Sequence, residues 1–224
     1  MLRNERGLTL LELLTVVAII ALLVALMFPV LTAARERSQR TVCVSNLRQI
    51  VASALMYRQD YGNWAPTLSH HKPYLKSVQI LTCPRDPTEK GAAWYVEAAA
   101  SLGQVPPEYT PEIRYSYYYL MHHYYPETDN RSLVERIIET PNYGLLVCVL
   151  HNRLYSGWCD QESLEIGTAL WACEPYLLRA RIDGSVQSAS VPLRWENNTG
   201  HRDLWRIYTG MPCTPDVCPN DDGE

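Results

Sequence analysis

The sequence predicts an α+β protein in which one long N-terminal α-helix packs on an antiparallel β-sheet head. Three observations predict it. Between Leu8 and Leu31, 20 of 24 residues are hydrophobic, the exceptions being Thr9, Glu12, Thr15 and Pro29. An apolar stripe at helical spacing continues beyond that run. The rest reads as short strand segments separated by turn signals, with no repeat and no low-complexity linker. A long helix followed by such segments is the pattern of a helix laid on a sheet.

The average composition conceals this split. The 224 residues are 47% hydrophobic and carry 20 Lys+Arg against 24 Asp+Glu, a net charge of −4. Those figures exclude a disordered chain, a collagen-like chain and a polytopic membrane protein. They also argue against a strongly basic nucleic-acid binder, so no nucleic-acid partner is expected.

The first element is the apolar run. No charged residue occurs from Leu13 to Ala34, a stretch of 22 residues. A bilayer-spanning helix needs roughly 20. The apolar region of a signal peptide is typically about 7–15 residues and ends at a small-residue cleavage site. This run is longer, and Val30–Arg35 continues it as helix. Glu12 is the anomaly, because a carboxylate in a membrane segment is costly and usually has a partner.

The second element follows Pro29. Cys43, Leu47, Ile50, Ala54 and Tyr57 recur at spacings of four, three, four and three, with Arg40, Ser45, Arg48, Gln49 and Arg58 filling the rest. Neither Gly nor Pro interrupts residues 30–61, and Gly62 ends the run as a C-cap would. A helix from Leu8 to Tyr57 would be about 75 Å long.

The head is expected to be one α+β domain. Strands are predicted at Arg114–Leu120, Tyr143–Leu150, Leu154–Trp158, Tyr176–Ile182 and Ser185–Val191. Asp183-Gly184 between the last two is a two-residue hairpin signal. Ser132–Glu135 has the capping-box pattern of a short helix, which Pro141 stops.

The start of the chain carries a recognisable pattern. Arg3-Asn4-Glu5-Arg6-Gly7-Leu8-Thr9-Leu10-Leu11-Glu12 resembles the class III leader of type IV pilins and type II secretion pseudopilins. That family has a short basic leader, Gly at the cleavage point, a hydrophobic first mature residue and Glu at mature position five. With Leu8 first, Glu12 is fifth and Pro29 is twenty-second, where many members carry a helix-kinking proline. Leu8 departs from the usual Phe.

The resemblance implies a pilin-like fold and four segments: a leader over 1–7, a transmembrane and polymerisation helix over 8–31, its amphipathic continuation over 32–61, and a head over 62–224. It implies that a prepilin peptidase cuts between Gly7 and Leu8 and methylates the new α-amine. It further implies other pilin or pseudopilin subunits as filament partners, with an inner-membrane assembly platform and ATPase acting indirectly. In the family, the Glu carboxylate pairs with a neighbouring subunit's N-terminal amine. Two unit charges about 4 Å apart gain roughly 4 kcal/mol at an effective dielectric near 20. That would offset the burial of Glu12 and set the stagger between helices. Positive-inside counting, with Arg3 and Arg6 before the run but Arg35, Arg37, Arg40 and Arg48 after it, points the other way. The leader pattern places the head outside the cytoplasm.

Further along, Asn46–Ile50, Met56-Tyr57, Asp60-Tyr61-Gly62 and Cys83-Pro84-Arg85-Asp86 resemble pseudopilin-like proteins whose head ends in an H-x9-DG element. Glu139-Thr140-Pro141 fits the same pattern. Counting back from Asp183, Cys173 stands at the histidine position.

Seven cysteines suit an oxidising exterior. Cys43 reads as a small buried hydrophobe on the helix, and the other six allow three disulfides in 15 connectivities. Cys213 and Cys218 are the best local pair, across a short Pro-rich loop. No C-x2-C spacing supports zinc, and no metal or cofactor is expected. The six tyrosines between Tyr115 and Tyr125 read as a sheet edge with rings on the helix and hydroxyls toward water, or as an exposed patch. The His70-His71 and His122-His123 doublets read as surface polar residues. The acidic tail carries no calcium pattern. No catalytic set is present, so a structural subunit is favoured over a membrane-anchored extracytoplasmic binding module or enzyme that does not polymerise.

Overall fold

The computed structural model describes residues 10–86, 115–123, 130–148, 176–190 and 200–211. The chain divides after Thr41 into two compact units. A long N-terminal helix and a four-stranded antiparallel sheet make the fold α+β.

The first helix, α1, runs from Leu10 to Tyr61, 52 residues with Pro29 inside it. Pro29 has no N–H to give to the carbonyl of Ala25, yet the helix continues through it. At the other end Gly62 adopts φ 75°, and its N–H donates to the Arg58 carbonyl at 2.9 Å. That is the left-handed cap expected of this glycine. In the first unit every residue from Leu10 to Arg35 is exposed.

In the second unit the predicted stripe is buried as far as Ala54: Cys43, Leu47, Ile50 and Ala54 have no exposed surface, with Val51 beside them, and Tyr57 is half-buried. They join a core built from β1 (Tyr118–Tyr119), α2 (Asn130–Glu139), β2 (Gly144–Cys148), β3 (Tyr176–Arg181) and α3 (Gly200–Thr209). With β4 (Val186–Ser190), the strands form an antiparallel meander in the order β1-β2-β3-β4. All five residues of β2 are buried, as befits an inner strand covered on both faces. Gln187 and Ser188 of β4 are exposed, which suits an edge strand.

Several details differ from the sequence expectation. Of the predicted Arg114–Leu120 strand, the described residues 115–120 form strand only at Tyr118–Tyr119, because the Ser116 N–H is taken by the Leu81 carbonyl at 3.0 Å and a 3-10 turn begins at Leu120. The β3–β4 turn spans three residues, Ile182, Asp183 and Gly184, closed by Arg181 N–H to Ser185 O at 2.9 Å. Gly184 has a positive φ but Asp183 does not, so the two-residue turn, which needs a positive φ at Asp183 as its first central residue, does not form. The short helix begins at Asn130, so Ser132 lies within it rather than capping it. Its exit is a turn in which Tyr143 N–H meets Thr140 O at 3.3 Å. Pro141 sits second and Asn142, at φ 57°, third. Helix α3 was not foreseen; it buries Trp205, Ile207 and Tyr208, an i, i+2, i+3 set on one side. The proposed strand Leu154–Trp158 lies outside the described residues.

Candidate functional site

The first candidate site is the bare surface of α1 before the head. Its most apolar stretch has a mean hydropathy of 2.9 and none of it is buried, so the helix is long and apolar enough to cross a membrane. Leu10 is 82% and Leu31 is 69% exposed. Such a surface is stable only in lipid or against other apolar helices. Two hydroxyls fold back on the helix, Thr15 onto the Glu12 carbonyl at 2.9 Å and Thr32 onto the Phe28 carbonyl at 3.0 Å. They hide polar groups that lipid would not solvate. Glu12, in the first turn of α1, remains exposed as the stretch's carboxylate. Pro29 lies further along the same helix. Gly7 and Leu8 lie outside the described residues, as do Cys213 and Cys218.

A second constellation was not read from the sequence. The sulfurs of Cys43, Cys83 and Cys148 lie within 4.8 Å of one another, and all three side chains are buried. Each carries a thiol rather than a disulfide. This corrects the partition that set Cys43 apart from six pairing cysteines: it clusters with two of them. Burial, reinforced by the neighbouring thiols, pushes the Cys148 thiol well above its ordinary value.

The surroundings explain how the cluster is built. Cys83 begins a β-turn, Cys83-Pro84-Arg85-Asp86, closed by Asp86 N–H to Cys83 O at 3.0 Å. Asn46, one turn after Cys43, donates from Nδ2 to the Thr82 carbonyl at 3.1 Å and to the Tyr117 hydroxyl at 3.3 Å. Tyr117 Oη in turn donates to Thr82 O at 3.4 Å. Burial and the nearby thiols push the Tyr117 phenol far upward, so it stays protonated as a donor. The two sequence elements Asn46–Ile50 and Cys83–Asp86 are thus parts of one packed contact.

The aromatic and histidine expectations change as well. Tyr115, Tyr117, Tyr118 and Tyr119 are all buried, so they are neither a patch nor an edge with wet hydroxyls. Tyr124 and Tyr125 lie outside the described residues. His71 is fully buried, with Nδ1 3.2 Å from the Ser53 hydroxyl and its ring edge-on to Tyr119 at 5.2 Å. His70 remains exposed.

Comparison with known proteins agrees with the first site. A prokaryotic N-terminal methylation motif matches residues 2–28. The chain is 44% identical over 63 residues to the type IV wide pilus major component PilA4 of Thermus thermophilus, covering 28% of this chain and 48% of that one. It thus spans about half the length of the curated relative it matches. No solved structure matches the chain. Gly7, Leu8 and Glu12 lie inside the methylation motif, and over part of its length the chain is similar to a type IV pilus component.

Proposed function

We propose that this chain is a structural, non-catalytic subunit of a type IV pilus-like or type II secretion filament. It enters the inner membrane through the start of α1, with the head outside the cytoplasm. A prepilin peptidase cleaves after Gly7 and methylates Leu8. The freed subunit then joins its neighbours through the apolar helix, served indirectly by a membrane platform and ATPase. The supporting observation is the wholly exposed apolar stretch of α1, interrupted by the one carboxylate of Glu12 within a methylation motif. An apolar surface of this kind can pass from lipid to a helical bundle with little change in hydrophobic energy. Pairing Glu12 with a neighbour's new N-terminal amine then selects one register. Similarity to a type IV pilus component favours a pilus over a secretion filament. Mass spectrometry of the protein from its native membrane tests the reading. The expected product starts at Leu8 and carries one extra methyl group. Recovery of the unprocessed chain from Met1 would overturn it.

A further inference from the structure

We propose that Cys43, Cys83 and Cys148 form a site for a soft, closed-shell thiophilic cation, the class that includes Zn(II) and Cu(I). The three thiols come from α1, the turn after Leu81 and the end of β2, and their sulfurs lie within 4.8 Å of one another. A cation about 2.3 Å from each sulfur spaces the sulfurs about 3.8 Å apart, a small contraction from that arrangement. Among the described residues these three alone make up the group, and no carboxylate or imidazole belongs to it. An all-sulfur set selects soft cations over calcium or magnesium.

Number and surroundings distinguish this from a disulfide. A disulfide joins two sulfurs at about 2.05 Å, removes two electrons and leaves one thiol over. Metal capture uses all three and needs no oxidant: each ligating thiol forms an S–metal bond and releases one proton. Asn46 and Tyr117, bonded to each other and to the Thr82 carbonyl, hold the segment that carries Cys83 against the part of α1 that carries Cys43, and so help position two of the three ligands. The bound ion would tie together three segments distant in sequence, a cross-link that stabilises the folded state only.

The test uses the full chain, purified reduced and metal-free in detergent, and titrated anaerobically with Zn(II) and, separately, with Cu(I). One equivalent of at least one ion is expected to bind, with X-ray absorption showing a sulfur shell near 2.3 Å. The unfolding midpoint should rise by roughly 5–10 °C when free metal is about 100 times Kd. A chain with Cys159, Cys173, Cys213 and Cys218 all changed to Ser should retain that equivalent, whereas adding Cys148→Ser should abolish it. The wild-type sulfur shell and stoichiometry keep the test decisive if Cys148→Ser fails to fold. Binding of neither ion, or its loss in the four-serine chain, would overturn the proposal. So would peptide mapping of the native protein that finds two of the three cysteines joined as a disulfide.

Discussion

Arg179 on β3 donates from Nη1 to the Ile207 carbonyl, 3.0 Å away in the last turn of α3, and to the Arg206 carbonyl at 3.2 Å. The guanidinium thus caps a helix C-terminus, where a cation meets orphan carbonyls and the negative end of the helix dipole. It does so from within the core, with Arg179 only 4% exposed, and desolvation draws its pKa down. Two glycines make room for it. A Cβ at Gly144 would lie 2.6 Å from the Arg179 stem and 2.8 Å from the Tyr208 carbonyl, while one at Gly210 would overlap the guanidinium.

Arg179→Met is therefore expected to take this donor from the Ile207 carbonyl, while the Arg206 carbonyl keeps the Gly210 N–H, at a cost of about 1–3 kcal/mol in chemical denaturation. Gly144→Ala should destabilise as well, and adding Arg179→Ala should recover part of that loss. Strict additivity of the two changes would contradict the proposed shared space.

Asn46→Ala removes one donor from both Thr82 O and Tyr117 Oη at a site where Asn46 is 8% exposed. About 1–3 kcal/mol should be lost, read as a lower urea midpoint with an unchanged m-value. Asn46→Asp should be no better, because a carboxylate cannot donate to the Thr82 carbonyl.

Gly62 offers a contrast to Gly144. Nothing lies within 4 Å of a Cβ built there, but its φ is 75°. Gly62→Ala should cost about 1–2 kcal/mol from the left-handed backbone alone. Gly62→Asn should cost less, since Asn tolerates that conformation. Equal thermal midpoints for the two variants would argue against the cap.

At the β3–β4 turn, Asp183 Oδ1 accepts the Ser185 N–H at 2.8 Å, and hydrogen bonding from Ser185 holds its carboxyl below the usual Asp range. Its folded-state pKa is depressed, so the turn's stabilisation is present above the unfolded value near 3.9. It fades as pH falls through the folded value. An NMR titration of the Asp183 carboxyl should find it below that reference, and Ser185→Pro, which deletes the N–H, should return it toward 3.9.

Glu12→Ala is expected to leave membrane insertion intact and to reduce filament incorporation at least tenfold, measured as the sheared-filament share of total subunit. A tenfold change corresponds to about 1.4 kcal/mol, well within the gain estimated for the Glu12–amine pair. Glu12→Gln should fail similarly because it lacks the charge. Wild-type incorporation of either variant would remove the registry role.

The long helix was legible in the sequence because its signals are local. An apolar run, a 3.6-residue stripe from Cys43 to Ala54 and a terminal glycine each act within one helix, and α1 carries all three. The strand at Gly144–Cys148 and the hairpin around Gly184 were local in the same sense. Helix α3 is not legible there, although Trp205, Ile207 and Tyr208 share one side of it, because Arg206 between them and His201, Arg202 and Asp203 before them leave too short a stripe.

By itself, then, the sequence determined a membrane-competent helix, its one carboxylate and the approximate positions of β2, β3 and β4, since each rests on neighbours along the chain. Only the tertiary structure decided that His71 and four tyrosines are buried, that Arg179 caps a helix 27 residues away, and that Cys43, Cys83 and Cys148 meet. Such contacts depend on how separate elements pack. Spacings of 40 and 65 residues between the three cysteines carry no periodicity from which their meeting could be read.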